Sequence, residues 1–313
     1  MSEARRRILL VAHPKRKEAH DLAAGVVQRL HDAGMEVVLR SDEAAAMDLA
    51  GSPNVTVADP ANPAEGCELV CVLGGDGTIL RGAEMSRGTG APLLGVNLGH
   101  VGFLAESERE DLGATVERIV ARDYAVEERM TLEVTVQHDG DLVYSSWALN
   151  EATVEKAARE RMLELTVEID GRPLSTWGCD GVVMATPTGS TAYAFSAGGP
   201  VVWPDVEAML LVPISAHALF ARPMVVGPSS HLALEVVPDT LGAGVLWCDG
   251  RRAVDLPPGA RIEVVRSATP VRLARLTSSP FTDRLVAKFD LSIHGWRGAA
   301  RREQAATSGG APA

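Results

Sequence analysis

The chain has few cysteines and lacks the usual signatures of a metal centre, a Walker loop and a membrane span. Its four cysteines form no C-x-x-C pair, and none stands near a histidine at zinc-ligand spacing, so neither a disulfide framework nor a structural zinc site is indicated. No Gly-Lys pair occurs in the 313 residues, which excludes the Walker A phosphate loop. No apolar run approaches the roughly 18 residues that a membrane span requires.

Positive charge is also scarce relative to negative charge. The formal net charge is -11 and lysines are few, which argues against nucleic acid or an anionic membrane as a partner. The apolar patch at residues 8–12 is too short for the core of a signal peptide, and Lys15, Arg16 and Lys17 follow it at once. We therefore expect a cytoplasmic globular protein in which backbone amides, a metal ion and a few arginines would hold any polyanionic ligand.

The N-terminal part alternates between strand and helix patterns. Short apolar runs predict strands at residues 7–12, 36–40, 67–73 and 91–97. Apolar residues at helical spacing predict helices over residues 18–34 and 108–122. This alternation favours an α/β domain over residues 1–127, with a mainly parallel sheet and helices on its faces.

From about residue 128 the pattern changes to strict alternation of apolar and polar residues. Asp139-Gly140 and Asp170-Gly171 stand between such runs, which is the strongest short signal for a hairpin. Residues 244–256 form a further strand-like run. The sequence predicts a β-rich, sandwich-like domain over residues 128–278 and a disordered tail over residues 299–313, where apolar periodicity is absent.

Three glycines surround one carboxylate in "GGDGT", residues 74–78. The stretch follows a predicted strand and precedes a helical pattern, so it lies where open α/β sheets bind ligands, with amides facing an anion. The dinucleotide fingerprint fails because Leu80 replaces its third glycine. On its own the loop is equally compatible with a tight turn capped by Asp76 and with a phosphate loop. The phosphate-loop residues would be Gly74, Gly75, Gly77 and Thr78.

Two further stretches carry polar groups in unusual places. Residues 186–196 concentrate hydroxyl groups and glycine after the apolar run "GVVMA", which suits a loop or a nucleotide with many acceptors. Asn150 and Glu151 are adjacent polar residues within a strand-like run. Their side chains suit the paired hydroxyls of a ribose, although on the sequence alone a hairpin or a strand end is the better explanation.

Four stretches together resemble the NAD kinase family, in the order and approximate spacing that the family shows. They are "GGDGT" (74–78), "GVNLGHVGFLAE" (95–106), "NE" (150–151) and "DGVVMATPTGSTAYAFSAGGPVV" (180–202). The similarity runs from about residue 8 to 297, and "AHALFARPMVV" is similar to the actinobacterial branch. The Gly-Gly-Asp-Gly loop alone is shared with diacylglycerol, sphingosine and phosphofructokinase-type kinases.

The resemblance implies phosphorylation of NAD at the 2'-hydroxyl of its adenosine ribose, giving NADP. The donor would be ATP and, in some members, polyphosphate. Asp76 matches the family's proton acceptor. The other NAD-binding positions of the family are matched by Gly77, Arg81, Asn150, Glu151, Arg161, Asp180, Thr191, Ala192, Tyr193, Ala194, Phe195 and Ser196.

The family also implies an assembly and a chain path. Its members form homodimers or homotetramers, and a final segment, here residues 279–298, returns to the first domain. Gly178 stands where some relatives carry a basic residue, so the contact made by that side chain is missing here.

The chemistry that the resemblance implies needs a base and charge neutralisation. A carboxylate can accept the proton of a ribose hydroxyl, and a divalent ion such as Mg²⁺ would bridge donor oxygens. Asp76 would be that base, or alternatively would position the metal ion.

Two other functions fit parts of the sequence. A diacylglycerol-type lipid kinase shares the glycine loop but needs membrane affinity, and the sequence shows no basic amphipathic helix. A regulatory module could bind NAD(P) without turnover, with Asp76 only capping a turn.

Overall fold

The computed structural model describes residues 5–13, 16–99, 102–158, 161–239, 242–277 and 279–293. The tail predicted at residues 299–313 and the end of the segment predicted at residues 279–298 lie outside the described residues. Within the described part of the chain, no helix is both long and apolar enough to cross a membrane.

The strands and helices are as follows, in chain order. The strands are β1 (Arg7–Ala12), β2 (Glu36–Leu39), β3 (Val55–Val57), β4 (Leu69–Leu73), β5 (Leu93–Asn97), β6 (Ser107–Glu108), β7 (Ala125–Arg129), β8 (Leu132–His138), β9 (Asp141–Ala148), β10 (Glu151–Lys156), β11 (Leu163–Ile169), β12 (Arg172–Cys179), β13 (Gly181–Ala185), β14 (Met209–Ile214), β15 (Met224–Val226), β16 (Leu232–Val236), β17 (Gly244–Cys248), β18 (Arg252–Leu256), β19 (Arg261–Arg266) and β20 (Val271–Arg275). The helices are α1 (Lys17–Asp32), α2 (Ser41–Ala46), α3 (Asp76–Ser86), α4 (Leu112–Ala121), α5 (Tyr193–Ser196) and α6 (Phe281–Phe289).

The first sheet has the strand order β3-β2-β1-β4-β5-β20-β7, with β6 paired to β5. Its neighbours are parallel except at the β20–β7 edge. Alternate residues of a strand point to opposite faces: Ile8 and Leu10 pack in one core with α1 and α4, and Leu9 and Val11 pack in another with α3. The predicted α/β domain with a mainly parallel sheet is confirmed.

The rest of the chain forms two antiparallel six-stranded sheets. Their strand orders are β15-β14-β13-β10-β17-β18 and β12-β11-β16-β19-β8-β9. Residues of both sheets, among them Val154 and Leu165, share one core that contains the fully buried Trp177. The predicted β-rich fold is confirmed. The predicted hairpin turns are also present, since Asp139 and Asp170 have φ of 53° and glycine follows each.

One strand prediction was wrong. Residues 244–256 do not form a single strand but the hairpin β17–β18, which turns at Asp249 and Gly250 with φ of 54° and 62°. An Asp-Gly pair accepts the left-handed conformation that a tight hairpin turn needs. The sequence carries at Asp249-Gly250 the same signal, an Asp-Gly pair between alternating runs, that predicts the other two hairpins.

The chain returns to the first sheet at β20, within the range assigned from the sequence to the β-rich domain. Helix α6 follows and packs through aromatic rings. Phe289 lies 5.8 Å from Phe103 and 4.6 Å from Phe195, ring centroid to ring centroid, and Phe281 lies 5.4 Å from Trp203. The domain limits at residues 127 and 278 stay predictions.

Candidate active site

The glycine loop joins the end of a buried parallel strand to the start of a helix. Strand β4 ends at Leu73 and helix α3 begins at Asp76, with Gly75 at the N-cap. A Cβ atom on Gly74 would lie 2.5 Å from Thr78 Oγ1, so this position needs glycine. The loop therefore lies at the carboxyl edge of the sheet, where the amides at the start of α3 face outward.

The Asp76 carboxylate does not cap the helix that it begins. No side-chain capping bond is formed at the start of α3. Instead Asp76 Oδ2 accepts a hydrogen bond from the amide of Phe103 and Oδ1 from the amide of Leu104, each at 3.1 Å. A Cβ atom on Gly102 would collide with Asp76 Oδ1. Both oxygens are thus fixed by another segment, which is a different arrangement from a turn capped by Asp76.

A cavity of about 430 Å³ opens beside the glycine loop. Gly75, Gly77 and Thr78 line one side of it. The remaining lining residues are mostly basic or polar: His13, Arg16, Arg81, Asn97, Gly99 and Arg251. Three guanidinium groups and helix-start amides around one cavity make a site suited to a polyphosphate chain.

Two of these arginines already have acidic partners. Arg81 pairs with Glu43 at 3.2 Å and with Asp42 at 3.7 Å. Arg251 forms a bidentate pair with Glu84 of α3, at 3.0 Å for each bond. Arg81 was predicted to contact NAD, and the structure places it in the wall of this cavity.

The Asn150–Glu151 corner lies at the start of β10, so the strand-end interpretation of this pair is confirmed. The Asn150 carbonyl oxygen accepts a hydrogen bond from the Thr186 amide at 2.9 Å. Thr186 Oγ1 donates to the Leu149 carbonyl at 2.6 Å and accepts from the Gly189 amide at 3.1 Å. A Cβ atom on Gly189 would collide with the Asn150 carbonyl oxygen. The corner and the hydroxyl-rich turn are thus packed together as one unit.

Glu151 is a buried carboxylate with an unfilled acceptor. The amide of Tyr193 donates to it, while Oε2 is buried without a hydrogen-bond partner among the described residues. Burial, and then the neighbouring charge of Asp249, raises the pKa of Glu151 to about 8. A buried polar atom without a partner is costly, so this oxygen is a candidate contact for a polar ligand.

The other residues predicted to bind NAD lie between strands β12 and β13, on the turn at residues 186–196 and before β11. Asp180 pairs with Lys156 at 2.5 Å, and this hydrogen bond lowers the pKa of its carboxyl. Burial, and then a hydrogen bond to Glu155, raises the pKa of Tyr193 to about 12. Residues 191–196 form the end of a 3₁₀ turn and helix α5. Arg161 is exposed, two residues before β11.

Sequence reasoning missed Asp249. Its carboxylate accepts hydrogen bonds from the amides of Leu149 at 3.0 Å and Asn150 at 2.7 Å, and from Arg252 Nη2 at 2.7 Å. Burial raises the pKa of this carboxyl. The Asp249-Gly250 pair, which stands between two alternating runs, was the signal that could have located this residue. The two amides that it binds lie about 100 residues away along the chain, and the sequence does not reveal them.

The corner and the glycine loop are held by the same helix. Leu149 packs in one core with Ile79 and Leu80 of α3 and with Leu104. Arg251 and Arg252, beyond the Asp249 turn, pair with Glu84 on that helix. Asp76 and Asn150 are thus fixed to one rigid element. In the described part of the chain, no cluster of three or more His, Cys, Asp or Glu side chains could hold a metal ion.

Two protein-family models match most of the chain. Residues 8–124 match the model of the ATP-NAD kinase N-terminal domain, and residues 149–276 match that of the ATP-NAD kinase C-terminal domain. The chain is 61% identical over 302 residues to NAD kinase 2 of Streptomyces avermitilis, and this alignment covers 96% of this chain and 99% of that protein.

Two solved structures share the fold. Yeast NADH kinase complexed with NADH has a TM-score of 0.84 at 25% identity, covering 93% of this chain and 89% of that one. An NAD kinase from Archaeoglobus fulgidus in complex with ATP has a TM-score of 0.66 at 25% identity, and the match covers 91% of this chain and 98% of that one.

The raised pKa of Glu151 predicts a pH-dependent stability. In the folded protein this pKa is about 8, against an ordinary value of 4.5, so the folded state holds the proton more tightly. The stability that the neutral carboxyl contributes is present below pH 4.5 and is lost as the pH rises to about 8. Relative to Glu151→Gln, the wild-type free energy of unfolding should fall by up to about 1.4 kcal/mol per pH unit in that window.

Urea unfolding of both proteins at several pH values between about 5 and 8 measures this difference. Asp249 is present in both proteins, so its own titration largely cancels in the comparison. A difference that stays constant with pH would show that Glu151 is not held neutral by burial.

Proposed function

This chain belongs to the NAD kinase family, and from that premise we propose that Asp76 accepts the proton of the adenosine 2'-hydroxyl of NAD during phosphoryl transfer. The enzyme phosphorylates NAD to give NADP, with ATP as the phosphoryl donor. Family membership decides against a diacylglycerol-type lipid kinase and against a non-enzymatic NAD(P)-binding module.

One observation carries the assignment of Asp76: both of its carboxylate oxygens are fixed by the amides of Phe103 and Leu104, at the start of α3 beside the arginine-lined cavity. Phosphoryl transfer asks the protein chiefly for in-line positioning and charge stabilisation. A ribose hydroxyl is a weak nucleophile, and a positioned carboxylate takes its proton as the bond to phosphorus forms. An oriented Asp76 supplies that acceptor.

The cavity beside the glycine loop is the proposed donor site. Its glycines let the phosphates approach the backbone, and Arg16, Arg81 and Arg251 provide positive charge in its wall. Kinases usually hold Mg²⁺ through carboxylates together with substrate phosphates. The carboxylates of Glu43 and Glu84 pair with arginines of this cavity wall, and bound Mg²⁺ would neutralise charge on the transferred phosphoryl group. Because the same cavity would accept a longer phosphate chain, polyphosphate is a second proposed donor.

The proposed NAD site is the corner formed by Asn150, Glu151 and the turn at residues 186–196. Hydroxyls of a ribose can donate to the unfilled Oε2 of Glu151 and accept from the side-chain amide of Asn150. Asp180 and residues 191–196 would contact the rest of the dinucleotide, with Gly77 beside Asp76. Arg81 and Arg161 are proposed as more distant basic contacts.

The oligomeric state and the cellular location are proposed from the family resemblance. We propose a homodimer or homotetramer in the cytoplasm, with NAD and ATP as small-molecule substrates.

Replacement of the proposed base tests the central assignment. Asp76→Asn keeps the shape but cannot accept a proton at neutral pH, and its NH₂ group gives up one of the two hydrogen bonds from the amides of Phe103 and Leu104. We expect kcat to fall about 10²- to 10⁴-fold, the range of general-base catalysis, with NAD binding by calorimetry little changed. Asp111→Asn, an exposed carboxylate before α4, is the matched control and should keep full turnover. A folded Asp76→Asn variant with wild-type kcat would refute the proposal.

The same position can separate a base from a metal-positioning group. In Asp76→Glu, a base role shifts the pH–rate profile and leaves the Mg²⁺ requirement unchanged. A metal-positioning role raises the Mg²⁺ concentration needed for half-maximal rate and leaves the shape of the profile unchanged.

A substitution in the cavity wall tests the donor site. Arg16→Ala removes one cation from the proposed phosphate site, and a charge-assisted hydrogen bond is worth about 1.5–3 kcal/mol. We expect the KM for ATP to rise about 10- to 100-fold, with the KM for NAD unchanged, in steady-state NADP formation. Arg172→Ala, an exposed arginine at the start of β12, is the control. A rise in the KM for NAD alone would assign the cavity to the dinucleotide instead.

A further inference from the structure

An arginine on the C-terminal helix binds the segment that holds Asp76. Arg284 Nη1 donates to the carbonyl oxygens of Phe103 at 3.2 Å and Ala105 at 2.6 Å, and Nη2 pairs with Glu106 Oε2 at 2.6 Å. The Arg284 side chain is 16% exposed and that of Glu106 is 1% exposed. This guanidinium therefore binds three groups of one short segment, largely away from water.

The two sides of this segment are mechanically linked. The Phe103 carbonyl and the Leu104 amide belong to one planar peptide unit. Arg284 holds the oxygen of that unit, and Asp76 Oδ1 accepts a hydrogen bond from its N–H. Rotation of the peptide unit would break both bonds together. The orientation of the donor to Asp76 is thus set from α6.

The far end of the segment is anchored independently. Glu106 also pairs with Arg275 of β20 at 2.8 Å and accepts hydrogen bonds from the amides of Leu276 and Thr277, at 3.0 and 2.8 Å. Loss of Arg284 would therefore leave Glu106 in place, and would remove the charged donor from the carbonyls of Phe103 and Ala105. The effect of such a loss is local to the residues in front of Asp76.

Helix α6 also contacts the other half of the site. Phe289 stacks on Phe195, within the turn proposed to bind NAD, and lies beside Phe103 of the Asp76 segment. One helix thus packs against both functional segments. The aromatic contacts fix the position of the helix. Arg284 is the polar side chain of the helix that contacts the segment binding Asp76.

We propose that Arg284 is a positioning residue for phosphoryl transfer, acting through the Phe103–Leu104 peptide unit on the Asp76 carboxylate. The inference rests on the proposed role of Asp76. Turnover then depends on the contact of α6 with residues 103–106, although no residue of this helix is assigned to the substrate site.

The test substitution is Arg284→Met, which keeps an apolar stem of similar length for packing and removes the guanidinium. A displaced catalytic group costs up to about 100-fold in rate, so we expect kcat to fall about 10- to 100-fold while the KM for NAD changes little. Arg284→Lys keeps the charge beside Glu106 but cannot bind three groups at once, and we expect an intermediate kcat. Lys288→Ala, on the exposed side of the same helix, is the control and should keep the wild-type kcat.

Combination with an Asp76 variant separates positioning from a general loss of structure. In the Asp76→Glu background the carboxylate no longer occupies the same position against the two amides, so Arg284→Met should lower the residual kcat much less than in the wild type. Thermal unfolding of each variant confirms that the comparison is made on folded protein.

Two results would overturn the inference: an unchanged kcat in folded Arg284→Met, whether or not the KM for NAD rises, or an equal fold-loss of kcat in both backgrounds. These are distinct from failure of the proposed function, in which Asp76→Asn itself retains turnover. If Arg284→Met does not fold, Arg284→Lys alone decides: wild-type kcat in that variant contradicts the need for the three-way contact.

Discussion

The amides of Phe103 and Leu104 fix the carboxylate of Asp76, and the site depends on keeping those two amides in place. They can reach Asp76 because β4 and β5 are adjacent parallel strands, so the segments that follow them meet at one edge of the sheet. Glycine at position 102 allows the close approach. The carboxylate is therefore oriented by backbone groups, whose positions are less adaptable than those of side chains.

Asp249 holds the proposed NAD site of the β-rich half through a similar contact between a carboxylate and two backbone amides. Its carboxylate binds the amides of Leu149 and Asn150, and the turn that carries it is tied to α3 through Glu84. Helix α3 begins with Asp76 and packs against Leu149. The proposed base and the proposed ribose contacts thus share one support, so that their relative placement does not depend on flexible surface loops.

The sequence predicts the parts of this site that carry side-chain or glycine signatures. Strand β4, the glycine loop and the start of α3 follow from an apolar run and a Gly-Gly-Asp-Gly stretch, and the position of Glu151 at a strand end follows from a break in alternation. It does not predict the donors to Asp76, because backbone amides leave no signature, nor the Arg284 contacts, which join residues about 180 positions apart. The hexapeptide "SDEAAA" of α2 also lacks the apolar periodicity that would reveal a helix.

The most direct measurement is the position of the adenosine 2'-oxygen in a crystal structure of this protein with NAD and a non-hydrolysable ATP analogue. The account predicts that this oxygen lies within about 2.6–3.2 Å of an Asp76 carboxylate oxygen, with the analogue's phosphates against Arg16 and the glycine loop. A complex in which the 2'-oxygen lies beyond hydrogen-bond reach of Asp76, with that carboxylate bonded only to the amides of Phe103 and Leu104, would contradict it.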